Sequence, residues 1–219
     1  MLQLHKNIQS NTTMTIIKLF ALLLFVTTSH AESNDKDRLD RFLGNMQTLE
    51  ANFKQTLVDD QGVELESSTG VVFLKRPDKF RWDYQHPYTQ TIVTNGESLW
   101  FYDEDLEQVT IRDVALSIRN TPAAILSSYE DIDEQFIIID MGIIEEYDWV
   151  ELIPRDVESQ YDSIRLGFDG EQLGMMVMFD NLGQVTRIDF TEEVINKEMD
   201  DSMFNFEPPQ GIDIIDDRG

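Results

Sequence analysis

The feature that most constrains this chain is a series of ten short β-rich segments separated by turn signals. Asn95-Gly96 is the strongest of these signals, because this dipeptide favours the type I′ turn of a two-residue hairpin. The segments cover residues 70–74, 80–84, 88–94, 98–102, 106–112, 136–140, 149–153, 161–168, 173–179 and 185–190. The pattern predicts a meandering antiparallel sheet, and residues 204–215 are expected to add another extended segment.

Two stretches have the periodicity of helices. Within residues 35–58 apolar side chains recur at three- and four-residue steps between charged and amide residues, which predicts one amphipathic helix. A short apolar helix is predicted within residues 114–128, where Thr121 and Pro122 suit the N-cap and first helical position. These elements predict an α+β fold in which a strongly curved sheet, covered by helices, encloses a cavity.

The first 31 residues have the composition of a cleavable export signal. They contain no Asp or Glu, and the apolar run at 19–26 is much shorter than the roughly twenty residues of a membrane-spanning helix. Small residues at Ser29 and Ala31 predict cleavage after Ala31. We expect a signal peptide over residues 1–31 and one domain over residues 32–219. Met14 is an alternative start, since it opens a compact positive segment that includes Lys18.

The chain is strongly acidic, with 42 Asp and Glu against 17 Lys and Arg and a net charge of −25. Removal of the predicted signal peptide deletes two lysines and no acids, which changes the charge to −27. Such a protein is repelled by nucleic acid and by anionic membrane surfaces. We interpret the acidity as a solubility feature, with a basic docking partner as the alternative.

Cysteine is absent from the sequence. This excludes disulfide bonds, thiolate catalysis and zinc-thiolate sites. It also excludes a lipid-modified cysteine, so we expect a soluble protein without a lipid anchor.

The motifs of common enzyme classes are missing. No phosphate-binding loop, dinucleotide fingerprint, zinc-protease helix or serine nucleophile elbow occurs. His86 is the only histidine after the predicted cleavage site, and its place between two strands predicts a surface turn. We expect no catalytic residue, no metal and no cofactor. The enzymatic alternative is a carboxylate-dependent hydrolase of envelope polymers, which requires two acids facing a polar cleft.

Two segments offer apolar, adaptable surfaces. Phe80, Trp82 and Tyr84 alternate with charged residues, which places three aromatic side chains on one face of a strand. Met176 and Met178 lie in another strand, and methionine adapts well to a flexible hydrocarbon. Ordinary core packing is the alternative interpretation for both segments.

Arg76 follows a strongly apolar strand. If the strand continues to Arg76, its side chain lies on the face of Val72 and Leu74. A guanidinium that faces an apolar interior requires hydrogen-bond acceptors. Carbonyl groups at the ends of lid helices would satisfy it and form a latch that ligand could break. The alternative is a surface arginine at the end of a strand.

Ordered motifs between residues 75 and 213 resemble those of the periplasmic lipoprotein carrier family, LolA. The resemblance runs through most of the chain after the predicted signal peptide, and the chain departs from the family in its unusual acidity, which bears on partner docking. The matching motifs are Lys75-Arg76-Pro77, Phe80-Arg81-Trp82, Gln90-Thr91-Ile92-Val93, Asn95-Gly96, Leu99-Trp100-Phe101-Tyr102-Asp103, Asp105-Leu106-Glu107-Gln108-Val109, Thr121-Pro122-Ala123 and Pro209-Gln210-Gly211-Ile212-Asp213.

This resemblance implies an unclosed antiparallel β-barrel of ten or eleven strands under a helical lid. It implies a periplasmic carrier that takes acylated lipoproteins from an inner-membrane ABC transporter and passes them to an outer-membrane receptor lipoprotein. Residues 35–58 and the central insertion would form the lid. Arg76 matches the family's latch arginine, whose hydrogen bonds hold the empty form closed, and Phe80 matches a cavity aromatic that is important for transfer.

We therefore expect a monomeric, non-enzymatic carrier in the periplasm of a Gram-negative bacterium, with no nucleic-acid partner. Related periplasmic lipid-binding or lipoprotein-sensing modules remain the alternative, whereas the receptor of the same pathway would need an N-terminal cysteine. The expected cavity residues are Leu43, Met46, Phe53, Val72, Leu74, Phe80, Trp82, Tyr84, Ile92, Trp100, Ile125, Leu126, Met176 and Met178.

Overall fold

The computed structural model describes residues 35–114, 122–127 and 132–218, so the predicted signal peptide and the predicted N-cap Thr121 lie outside the described residues. The helices are α1 (Asp35–Asn45), α2 (Pro122–Ser127) and α3 (Ile132–Gln135), with a 3-10 helix at Asp201–Phe204. The strands are β1 (Thr48–Val58), β2 (Glu64–Lys75), β3 (Lys79–His86), β4 (Gln90–Thr94), β5 (Ser98–Asp103), β6 (Gln108–Asp113), β7 (Phe136–Ile144), β8 (Tyr147–Pro154), β9 (Tyr161–Asp169), β10 (Gln172–Asp180), β11 (Val185–Ile195) and β12 (Asp213–Asp216).

The strands form one curved, unclosed sheet. Their order is β12-β6-β5-β4-β3-β2-β1-β11-β10-β9-β8-β7, so β12 and β7 are its two edges. All neighbouring pairs are antiparallel except β12 and β6, which are parallel. The predicted α+β class and unclosed antiparallel sheet are confirmed, with twelve strands rather than ten or eleven.

The additional strand is β1, and the prediction of one helix over residues 35–58 is wrong. Helix α1 ends at Asn45, and the low helix propensity of Gly44 weakens its last turn. Leu49, Phe53 and Leu57 recur every four residues, a spacing that also fits alternate positions of a strand. Strand β1 lies between β2 and β11 and pairs with both of them. These backbone hydrogen bonds on both sides favour the strand over the helix that the spacing also allows.

The core lies on the inner face of the curved sheet. Directly paired residues of antiparallel strands point to the same face, so the pairs Leu74–Phe80 and Val72–Trp82 form adjacent rows there. On the β9 side of the sheet Leu166 and Ile164 pair with Met176 and Met178 of β10, and these four residues belong to the same apolar cluster. This face therefore carries one continuous apolar cluster from β4 across β1 to β8.

Helices α1 and α2 cover the inner face from opposite sides. Helix α1 packs against β7 and β8, and the Phe42 ring lies edge-on to Phe168 with ring centroids 5.3 Å apart. Helix α2 packs against β2 and β3 and buries Ile125 and Leu126. Each such buried side chain contributes about 1.5–3 kcal/mol of transfer free energy, which holds the helices in place. We refer to α1 and α2 as the lid.

The segment after β11 crosses the outer face. Asp201 accepts hydrogen bonds from Lys75 at 2.6 Å and from Lys79 at 2.9 Å, and these lysines point away from the inner face. Phe204 is fully buried, and Phe206 packs on Tyr102 with ring centroids 5.4 Å apart. The extended segment predicted at 204–215 thus begins at the end of a 3-10 helix and reaches β12.

Candidate functional site

The predicted cavity residues lie together on the inner face, with one exception. The members of the buried core are Met46, Phe53, Val72, Leu74, Phe80, Trp82, Ile125, Leu126, Met176 and Met178, while Leu43, Tyr84 and Ile92 are partly buried and pack against it. These residues share one apolar cluster, and their role in lining a cavity for acyl chains stays a prediction. Sequence reasoning missed other members of the same cluster, including Leu152, Ile164, Leu166, Ile188 and Phe190, although the same alternation marks them.

Trp100 is the exception, because the structure places it on the outer face. It pairs with Val93 on β4 and with Ile111 on β6, whereas the inward-facing Trp82 pairs with Ile92. Neighbouring residues of a strand point to opposite faces, so Ile92 and Val93 cannot both face the interior. The expectation that Trp100 lines the cavity is corrected by this register.

An aromatic group forms the centre of the inner face. The Phe53 ring lies 5.0 Å from that of Trp82 and 5.2 Å from that of Tyr84, measured between centroids. Gly70 lies beneath this ring, and a Cβ atom there would be 2.8 Å from Phe53 and 1.9 Å from the Asp83 carbonyl oxygen. Only glycine therefore allows β1, β2 and β3 to approach as they do. The buried Trp82 Nε1 has no hydrogen-bond partner among the described residues.

Arg76 joins both lid helices to the sheet. It directly follows β2, and its residue surface is only 9% exposed. Its Nε donates a hydrogen bond of 3.0 Å to the Leu126 carbonyl of α2, and its Nη1 donates to the Leu43 carbonyl of α1. Both acceptors lie in the last turn of a helix, where carbonyl groups lack helical partners and a cation is favoured. The structure thus contains the contacts that a latch requires.

Arg38 and Asp148 form a second connection between the lid and the sheet, which sequence reasoning missed. The Arg38 Nη2 atom of α1 lies 2.7 Å from Asp148 Oδ2 on β8, and its Nη1 atom donates to the Gly170 carbonyl. Asp148 pairs with Phe168 on the inner face and is 9% exposed. The chain contains 42 Asp and Glu residues, so no local sequence pattern distinguishes Asp148 as the partner of Arg38.

The interior is closed in this conformation. Met46, Leu74 and Met176 have no exposed surface, and Leu126 has only 1%. Side chains of the lid therefore occupy the space above the sheet. A hydrocarbon ligand can enter this apolar region only if α1 and α2 move outward.

A cavity of about 500 Å³ lies on the inner face beyond the aromatic group, at the end away from Arg76. It was not predicted from the sequence. It is lined by Gln55, Glu66, Ser68, Tyr84, Pro87, Tyr88, Gln90, Asp103, Asp105 and Leu106. The Tyr84 hydroxyl donates a 3.1 Å hydrogen bond to Gln55 Oε1. Burial raises the pKa of Tyr84 to about 12, opposed in part by this bond.

Within residues 35–114, 122–127 and 132–218, no helix has both the length and the apolar character needed to cross a bilayer. The same residues contain no group of three or more His, Cys, Asp or Glu side chains arranged to hold a metal ion. His86 lies at the end of β3 and is exposed.

Comparison of the sequence with those of known proteins finds relatives that share one name. A protein from Methylococcus capsulatus named outer-membrane lipoprotein carrier protein is 39% identical over 197 residues, 90% of this chain and 95% of that relative. A protein of the same name from Nitrosospira multiformis is 39% identical over 194 residues, 88% of this chain and 93% of the relative. A solved LolA superfamily structure from Nitrosomonas europaea has a TM-score of 0.49 and 13% identity, covering 78% of this chain and 95% of its own.

The family profile described as outer membrane lipoprotein carrier protein LolA matches residues 44–207. This range includes β1 to β11, α2 and Arg76. Membership of a family of carrier proteins agrees with the expectation of a non-enzymatic protein. The chain therefore belongs to the outer membrane lipoprotein carrier protein LolA family.

Proposed function

We propose that this protein is a periplasmic carrier that shields the acyl chains of lipoproteins on the inner face of its sheet, beneath α1 and α2. The observation that carries the proposal is Arg76, whose guanidinium holds both lid helices over a continuous apolar surface. The names of the relatives support the same function.

The need for a carrier follows from the cost of exposing hydrocarbon to water. Each buried methylene is worth about 0.8 kcal/mol, so an acyl chain of roughly sixteen carbons favours an apolar site by about 12 kcal/mol. At that cost free diffusion through an aqueous compartment is negligible. Reversible transfer requires apolar contacts that can adjust to the shape of the acyl chain. The flexible side chains of Met46, Met176 and Met178 supply such contacts.

Arg76 acts as a latch in this proposal. Acyl chains that enter displace lid side chains such as Met46 and Leu126 from the inner face, and the two hydrogen bonds of Arg76 are lost. When the chains leave, the helices return and the bonds form again. The closed lid therefore competes with the ligand for the interior, which keeps binding weak enough for release.

The proposed partners are an inner-membrane ABC transporter that loads the carrier and an outer-membrane receptor lipoprotein that unloads it. The sequence has no nucleotide-binding motif, so the energy for loading must come from the partner. A monomer suits this role because the carrier exposes its opening to each partner in turn. The acidity of the chain serves solubility, and it would also suit a basic docking surface on these partners.

The hydrolase alternative finds its only structural support in the polar cavity, which Asp103 and Asp105 line. Membership of a carrier family argues against it. The two proposals predict different observations. A hydrolase cleaves an envelope polymer, whereas a carrier retains acylated protein when it is purified.

The test is mass spectrometry of the protein purified gently from periplasm, as the natural chain and as Arg76→Leu. We expect acylated lipoproteins to copurify, and to accumulate on the variant because its open lid no longer competes for the interior. Arg187→Leu, which alters an exposed arginine on β11, is the control and should behave as the natural chain. Absence of lipoproteins from every sample contradicts the carrier proposal.

A further inference from the structure

On strands β1 to β5 the apolar interior ends at a row of polar side chains, whereas Ile188, which pairs with Gln55 from β11, still belongs to the apolar cluster. Along β1 the inward-facing residues change from Leu49, Ala51 and Phe53 to Gln55. Gln55 pairs with Ser68, and on the neighbouring strands Tyr84 pairs with Gln90. From Leu49 to Gln55 the strand extends about 20 Å at roughly 3.3 Å per residue, so this polar row lies far from Arg76.

Carboxylates surround this polar row. Asp103 pairs with Gln90 and is half-buried, while Glu66 and Asp105 are exposed at the margin of the 500 Å³ cavity. Among the described residues, no basic side chain lines the cavity. The field of three nearby carboxylates therefore attracts a cation into this space.

Aromatic and apolar surfaces complete the lining. The Tyr84 and Tyr88 rings offer faces that attract organic cations. Tyr88 and Leu106 are 67% and 68% exposed, so the cavity opens to solvent between them. Phe53, whose ring contacts Tyr84, connects the cavity to the apolar cluster.

Ser68 indicates that this space is built for a ligand. It is 4% exposed, and its buried hydroxyl oxygen has no hydrogen-bond partner among the described residues. An unpaired buried hydroxyl is unfavourable. Ser68 is one of the cavity's lining residues, so a rotation of its side chain would present the hydroxyl to a donor on a bound ligand.

We infer that this cavity binds an ammonium or guanidinium group attached close to an acyl chain, with the hydrocarbon directed toward Phe53 and Trp82. The inference rests on the proposed carrier function. It places the polar end of the cargo in the 500 Å³ cavity. Two sources share this chemistry. The first is a lysine or arginine side chain near the acylated terminus of a lipoprotein, and the second is the amine of a cationic amphiphile.

The experiment measures dissociation constants for two soluble probes, lauroyl-Gly-Ser-Lys-amide and its uncharged norleucine counterpart. We expect the lysine probe to bind about fivefold more tightly, which is the scale of partly exposed ion pairs. The cavity variant is Glu66→Gln/Asp103→Asn/Asp105→Asn, which should reduce this ratio to about one. Asparagine at position 103 retains an oxygen that can accept the hydrogen bond now donated by the Leu106 N–H.

The matched control is Asp169→Asn/Glu171→Gln/Glu198→Gln. It removes the same three negative charges from exposed positions that do not line the cavity. We expect it to keep the fivefold ratio. If both variants lose the preference, it reflects total charge. If both keep it, the cavity carboxylates do not cause it. Either result overturns the inference.

Ser68→Ala is a second, independent variant. It should lower the affinity for the lysine probe at least twofold without lowering the free energy of unfolding, since it removes an unpaired hydroxyl. Unchanged affinity overturns the role of Ser68 as a ligand contact. Dodecylammonium, compared with dodecanol, distinguishes the sources: a charge preference equal to that of the peptides indicates a cationic amphiphile, and a smaller one indicates a peptide side chain.

Failure of this inference is distinguishable from failure of the carrier proposal. If both lauroyl probes bind with equal affinity to the natural chain, the carrier proposal stands and the cation site is wrong. If neither probe binds at all, both proposals fail.

Discussion

The guanidinium of Arg38 and the carboxylate of Asp148 form an ion pair of 2.7 Å that joins α1 to β8. Their side chains are 22% and 12% exposed, so the pair is largely removed from water. Together with Arg76, which holds the C-terminal turn of α1, this pair attaches the helix at two separate points. Movement of α1 away from the sheet therefore requires either that both the Arg38–Asp148 ion pair and the Arg76 hydrogen bond break, or that α1 rotates about one of them.

Asp148→Ala should lower the free energy of unfolding by about 2–3 kcal/mol, because it leaves the Arg38 charge partly buried without its partner. Urea unfolding measures this loss. Asp189→Ala breaks an ion pair with Arg187 whose side chains are 53% and 31% exposed, and should cost below about 1 kcal/mol. Equal losses in the two variants would show that the burial of the Arg38 pair is unimportant.

Arg76→Leu should increase amide hydrogen exchange in α1 and α2 while the exchange of β9 and β10 stays slow. The variant removes the side-chain donors to the Leu43 and Leu126 carbonyls, and both of these acceptors lie in helices. Arg76→Lys keeps the charge but cannot offer the same two-branched donor, so we expect an intermediate effect. Unchanged exchange in both helices argues against a latch.

Trp82 and Trp100 should respond differently to ligand. The chain has three tryptophans, so variants that retain only one of them are practical with two Trp→Phe changes each. A brominated acyl chain should quench the fluorescence of Trp82, which faces the interior, and leave that of Trp100 nearly unchanged. Quenching of Trp100 alone would place the ligand on the outer face of the sheet.

Gly70→Ala should destabilise the fold by at least about 2 kcal/mol, since its Cβ atom would meet the Asp83 backbone at 1.9 Å and the Phe53 ring at 2.8 Å. Gly44→Ala is the matched control in α1, where a Cβ atom meets nothing within 4 Å. It should stabilise the protein by up to about 1 kcal/mol through helix propensity. Thermal and urea unfolding of both variants measure the change in the free energy of unfolding, which should be negative for Gly70→Ala and positive for Gly44→Ala.

Glu193 should make stability depend on pH. Burial raises its pKa from 4.5 to about 7, opposed in part by the hydrogen bond that it accepts from the Leu173 N–H at 2.9 Å. The folded state therefore holds the proton more tightly than the unfolded chain, and this stabilising contribution is full below about pH 4.5 and lost as the pH rises through about 7.

Glu193→Gln should remove that dependence, so the free energy of unfolding of the variant should fall less between pH 5 and pH 8 than that of the natural chain. Glu171→Gln changes an exposed acid near the same hairpin and is the control. A pH profile that is the same in all three proteins contradicts the assignment to Glu193.

Alternating patterns allowed much of the sheet and of the apolar interior to be predicted. Val72, Leu74, Phe80 and Trp82 face inward as their period of two indicates. The same reasoning failed where one spacing fits two structures, since the four-residue spacing of Leu49 and Phe53 suits a helix as well as a strand. Only pairing with β2 and β11 decides between them.

The sequence by itself determined the alternation of apolar and polar residues, the turns, the absence of cysteine and of nucleotide-binding motifs, and the family, because these are properties of local order along the chain. The tertiary structure alone decided which face of β5 carries Trp100, that Arg76 reaches carbonyl groups on two different helices, and that Ser68 and Asp103 line one cavity. These relationships join residues that are distant in the sequence, and they depend on strand register, which backbone hydrogen bonds and the packing of the whole sheet establish together.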